Sequence, residues 1–220
     1  MLPHFAVDIE IAEIDAGRLR VVWIDEVMAD GVGDNLMYED ISGTTWQEVN
    51  AVIAEEAALI DSASLRAVDE DDFDRIVDVE LRQRYPGDDF DEGPLSPFTG
   101  LDAGVMSAVA ALSASGCITT TSCRGHRAHS EPNPLVRFAA DEERLLLVQA
   151  AATSAGCGLL LDEDGMLQLY ATSILAFIDF ARETMRHSDA FDAVSTSVAR
   201  QRPPGLAHDF LGTIRRRDLS

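Results

Sequence analysis

The residue types best suited to chemistry fall in one run, Ser122-Cys123-Arg124-Gly125-His126-Arg127-Ala128-His129-Ser130-Glu131-Pro132-Asn133-Pro134, with Arg137 just beyond it. Three chemistries fit this run. In the first, Ser122, the backbone amides around Gly125, and Arg124, His126, Arg127, His129 and Arg137 cradle a small anion, because guanidinium groups and successive N–H donors suit phosphate or carboxylate oxygens. In the second, Cys123, His126 and His129 supply zinc ligands, with Glu131 or water as a fourth. Cys117 cannot complete that set, since at a strand's rise it stands about 20 Å from Cys123. Structural zinc sites carry four clear ligands, so no metal is assigned. In the third, Cys123 is a nucleophile whose thiolate is favoured by Arg124 and His126, with His126 as base. No partner acid or amide follows from the sequence, and no cofactor does. A structural alternative stands beside all three: the loop folds back onto the acidic amino-terminal half.

An internal comparison indicates which elements position this loop. Val105, Val109 and Leu112 recur at helical spacing before Ser113-Ala114-Ser115-Gly116-Cys117, and Leu145, Val148 and Ala152 do so before Thr153-Ser154-Ala155-Gly156-Cys157, 40 residues later. In each copy a helix stops at glycine and a strand begins at cysteine, which reads as a small buried apolar residue. A second strand follows, Leu135 to Ala139 in one copy and Met166 to Ala171 in the other. The later copy joins its strands through the short turn Asp162-Glu163-Asp164-Gly165, whereas the earlier one carries the Arg and His loop. A closing helix over 173–186 completes a duplicated helix-strand-strand domain, residues 101–187, with a four-stranded antiparallel sheet. Residues 188–220 then form a C-terminal helix and a tail containing Arg215-Arg216-Arg217.

Upstream, Phe5, Val7, Ile9 and Ile11 alternate, as do Leu19, Val21 and Trp23, which predicts a β-hairpin. Thr45-Trp46-Gln47-Glu48 has the form of a capping box opening a helix over 45–60. A second helix spans 69–84, its acidic start Asp69-Glu70-Asp71-Asp72 suiting the helix dipole. The predicted fold is therefore α+β: an acidic hairpin and two-helix region over 1–86, a Gly/Pro/Asp-rich linker over 87–100, then the duplicated domain.

Charge sets the kind of partner. The 220 residues carry 39 acidic and 17 basic side chains, a net of −22, and all the basic ones are arginine. Without lysine, the usual Walker phosphate loop, a protein-kinase site and Schiff-base chemistry are excluded. Residues 1–100 hold 25 acidic and 6 basic residues, while residues 101–220 hold 14 and 11. Such a surface argues against nucleic acid and favours a basic protein partner. No apolar run is long enough to span a bilayer, no signal peptide opens the chain, and three cysteines do not make a disulfide framework, so a cytoplasmic location is expected.

The stretch from Leu101 through Thr119-Thr120-Thr121-Ser122-Cys123-Arg124-Gly125-His126 to Pro134-Leu135-Val136-Arg137-Phe138 resembles small uncharacterised bacterial and phage proteins in which S-C-x-G-H precedes a P-x-V-R-F strand. Its T-T-T-S-C-R-G segment is also similar to the T-T-S-S-C-S-G-R motif of the tRNA wybutosine-synthesising methyltransferase family, the third enzyme of that pathway, with Arg124 where the family has serine and His126 where it has arginine. The second resemblance implies methyl transfer from S-adenosylmethionine to a nucleotide or RNA substrate. The expected function is that of an acidic bacterial or phage interaction protein that binds a basic partner, in an inhibitory, toxin-neutralising or defence role, with an anion in the Arg/His loop. The alternative is a methyltransferase-like enzyme working through that loop.

Overall fold

The computed structural model describes residues 2–20, 22, 41–85, 93–98, 100–126 and 132–194. Its helices are α1 (Trp46–Arg66), α2 (Glu70–Arg84), α3 (Met106–Ala114), α4 (Glu142–Ala155), α5 (Ile174–Arg186) and α6 (Ser188–Ala193). Its strands are β1 (Ile118–Cys123), β2 (Leu135–Ala139), β3 (Gly158–Leu161) and β4 (Leu167–Tyr170). They form one antiparallel sheet in the order β1-β2-β4-β3. The element order thus runs helix, strand, strand twice, and the second strands of the two units pair at the centre. The cysteines stand one residue before their strands.

Local rules account for the helix ends. Thr45 and Glu48 close the expected capping box at α1 through reciprocal side-chain bonds to each other's backbone amides, and the helix runs six residues past its predicted end. Asp69 caps α2 by accepting from the Asp72 amide at 2.8 Å. Gly116 and Gly156 take left-handed backbone angles, φ +84° and +69°, where α3 and α4 stop.

Packing makes three layers. On the sheet's inner face Val136, Phe138, Leu159, Leu167 and Leu169 meet Val109 and Leu112 of α3, Leu145 and Val148 of α4, and Phe177 and Phe180 of α5. The opposite sides of α3 and α5 offer Met106, Ala110, Ile174 and Ile178 to a second apolar cluster with Val49, Val52, Ile60, Phe73 and Val77 of α1 and α2. Helix α3 is therefore covered on both sides, which fits its apolar composition all round. The acidic helices share an apolar core with the elements beyond residue 100. No helix among the described residues is long and apolar enough to cross a membrane.

The expected amino-terminal hairpin does not form within residues 2–20, and Val21 and Trp23 lie outside the described residues. The segment instead lies along β3. Ile11 bridges Leu159 in parallel, the Ala12 amide donates to Leu159 O at 2.9 Å, and the Leu159 amide donates to Glu10 O at 2.9 Å. The Arg20 amide reaches Gly165 O at 2.8 Å, and the Phe5 amide reaches Thr172 O at 2.8 Å. Alternation marked an extended, half-buried segment, and among the described residues its strand partner is the sheet edge. The predicted linker is described only over 93–98 and 100, where Leu95 and Phe98 are buried in the α1–α2 core.

Candidate functional site

Strand β1 delivers the Ser122–His126 run. A bulge between Thr119 and Thr121 shifts its register, so Thr121 pairs with Arg137, Ser122 with Val136 and Cys123 with Leu135. The extra residue reverses the facing of the positions after it: Ser122 shares the parity of buried Val136, and Cys123 that of Arg137's outer face. The chain then turns at Gly125, whose φ is +75° and whose missing Cβ would lie 2.5 Å from the Asn133 carbonyl carbon. Glycine is required there twice over, by backbone angle and by space, and the close approach pinches the neck of the loop.

Beyond β1 the loop's basic groups meet the first turns of α2. Asp71 and Asp74, three apart, stand on one side of that helix. Arg124 Nη2 lies 3.2 Å from Asp74 Oδ1, and the Arg124 amide donates to Asp102 Oδ2 at 3.2 Å. His126 Nε2 lies 3.2 Å from Asp71 Oδ1 and 3.7 Å from Asp74 Oδ2. Burial pushes the Asp74 carboxyl above its ordinary range, and the charges of Arg124 and His126 only partly offset it. Among the described residues Arg124 Nε is a buried donor with no hydrogen-bond partner.

Ser122, Cys123, Arg124, Gly125 and His126 are thus brought together, and Arg137 does not join them. Arg137 Nε donates to Asp162 Oδ2 and Nη2 to Asp164 Oδ2, both at 2.6 Å, across the β3–β4 turn. Burial acts to raise the Asp162 carboxyl, but Arg137 and the Met166 and Asp164 amides hold it below the usual carboxylate range. Arg127, His129 and Glu131 lie outside the described residues. Among the described residues no three His, Cys, Asp or Glu side chains are grouped to hold a metal ion. Burial pushes the Cys117 thiol up to about 11 and the Cys157 thiol up to about 12, consistent with apolar packing roles for both. Cys123 is half-buried, and its Sγ accepts the Gly125 amide at 3.4 Å. A histidine held by carboxylates is the arrangement a general base uses.

Two residues that sequence reasoning passed over are the only buried charges among the described residues, Glu56 and Arg144. Helix α3 has no side-chain cap of its own. Glu56, fully buried on α1, supplies one, accepting from the amides of Gly104 at 2.6 Å, Met106 at 3.0 Å and Ser107 at 2.8 Å. At the other end Arg144 Nε donates to Ser115 O at 2.7 Å while its Nη1 pairs with Asp141. A carboxylate thus sits at the amino end of the helix dipole and a guanidinium at the carboxyl end. In Ala-Glu-Glu-Ala or Glu-Glu-Arg surroundings such charges read as solvated surface, because their partners are 48 to 51 and 29 positions away. No family model matches the chain, and neither a curated protein nor a solved structure does.

Proposed function

We propose that the protein is a cytoplasmic interaction module that presents the α1–α2 hairpin to a basic protein partner. Residues 46–84 carry eleven carboxylates against four arginines. The observation that carries the reading is the pair Leu65 and Val68, 88% and 74% exposed at the hairpin's turn, with exposed Asp61, Asp69 and Asp71 around them. Exposed aliphatic side chains ringed by carboxylates suit a partner surface that is apolar at its centre and cationic at its rim. Arg124 and His126 are engaged with Asp74 and Asp71, so a small anion at this loop would compete with those carboxylates. An inhibitory, toxin-neutralising or defence role fits such a surface, since an acidic face steers encounter with cationic proteins. The test is capture from the native host: a basic protein is expected on the immobilised chain at low salt and lost at high salt or with Leu65→Asp/Val68→Asp, and capture indifferent to both would refute the reading.

The second reading is a thiol-dependent enzyme on a nucleotide substrate, methyltransferase-like. It is favoured by the carboxylates on His126 and by the half-buried Cys123 three positions before it in the same run. Cys123→Ala should then abolish biological activity without changing the melting temperature, and full activity in that variant removes this reading.

A further inference from the structure

A separate cleft of about 320 Å³ lies where the amino end of α1, the carboxyl end of α3 and helix α6 meet. Its size is at the lower end of small-ligand sites, which run roughly from 300 to 1,000 Å³. Four side chains give its walls their character: the cation Arg144, the anion Asp192, and the rings of Trp46 and Phe191. Arg144 is only 5% exposed. Its bonds to Ser115 O and Asp141 use Nε and Nη1, while Nη2 lies against the cleft-lining Gly116, where a Cβ would stand 2.9 Å from it. Asp192 is fixed through one carboxylate oxygen, Oδ1, which accepts from the Trp46 indole Nε1 at 3.0 Å. The two rings sit 6.0 Å apart, tilted by 43°.

We propose that this cleft binds a small zwitterion of the α-amino acid type: carboxylate toward Arg144 Nη2, ammonium toward Asp192, and an apolar side chain against Trp46 and Phe191. A simple anion entering the cleft meets Asp192 and the carbonyl end of α3; a simple cation meets Arg144 and the positive end of α1. A molecule carrying both signs satisfies both walls, and the charge-assisted bonds on each side are the strong ones. The cleft uses the amino end of α1, whereas the proposed docking face is at Leu65 and Val68 at the other end of that helix, so failure of one leaves the other standing.

Trp23→Phe leaves Trp46 as the single indole, which reports occupancy by fluorescence. Titration with phenylalanine is expected to give a saturable change and a rise in melting temperature. Phenylpropionate, lacking the ammonium, and phenethylamine, lacking the carboxylate, should each bind at least about tenfold more weakly, one such contact being worth that factor. Ala114→Leu, which fills the cleft, should remove the response; Val194→Phe at its wall, which adds no indole, serves if that variant does not fold. No response to phenylalanine up to about 10 mM, equal binding of either analogue, or an undiminished response in the filled variant would overturn the proposal.

Discussion

Helix α3 carries no charged residue, so the free groups at its two ends depend on side chains supplied by other elements. Glu56→Ala should cost about 3 kcal/mol or more in urea unfolding, because three amides lose their acceptor inside the core. Burial lifts the Glu56 pKa above 4.5, against the pull of the bonds from Ser107, Gly104 and Met106. A group raised in the folded state stabilises fully below its unfolded pKa and loses that contribution as pH rises through the folded one. The stability of wild type minus Glu56→Gln, which cannot titrate, should therefore fall as pH increases above 4.5. A difference that rises instead would mean the amides outweigh burial. The glycines at the two helix ends separate backbone from packing: Gly156→Ala meets nothing within 4 Å, while Gly116→Ala meets the Arg144 guanidinium at 2.9 Å. The first should cost about 1 kcal/mol and the second clearly more, as calorimetry would show. Thr45, Asp69 and both glycines were legible in the sequence because their partners are near neighbours. Glu56 and Arg144 were not, because nothing local distinguishes a buried charge from a solvated one.

Among the elements, period reliably gave type and poorly gave partner. The helices at 46, 70 and 174 and the strand Leu135–Ala139 stand where spacing placed them. The segment from Phe5 to Ile11 alternates as a strand would, yet it serves the β3 edge, with Tyr170 Oη accepting the Glu10 amide at 3.2 Å. An open strand edge is a template for pairing between molecules, so a cover over it has a clear physical use. Removing residues 2–12 should uncover β3 and produce higher oligomers in size-exclusion chromatography; a monodisperse, equally stable product would show that the segment does not protect the edge. The bulge at Thr120 was invisible for a related reason: Thr119, Thr120 and Thr121 are chemically alike, and register depends on the neighbouring strand. That single extra residue decides which of Ser122 and Cys123 shares a face with Arg137.

At the scale of the molecule, the hairpin carries eleven of the 39 acidic residues against four arginines, its inner faces are packed, and its turn exposes Leu65 and Val68. Charge arithmetic located the acidic half, but the apolar pair within it emerged only from exposure, since Leu65 continues a helix whose other leucines are core. The candidate loop was legible as a cluster and not as an arrangement: the sequence grouped Arg124, His126 and Arg137, and the fold sent the first two to α2 and the third to the β3–β4 turn. The interaction surface can be probed without knowing the natural partner. Fluorescence anisotropy of a labelled amphipathic peptide, leucine along one face and arginine along the other, reads its affinity for the intact chain. Binding should weaken with added salt and fall at least about tenfold in Leu65→Asp/Val68→Asp, both positions being exposed enough to leave the fold unchanged. Affinity that is insensitive to salt and equal in the double variant would contradict an acidic, apolar-centred docking face on the α1–α2 hairpin.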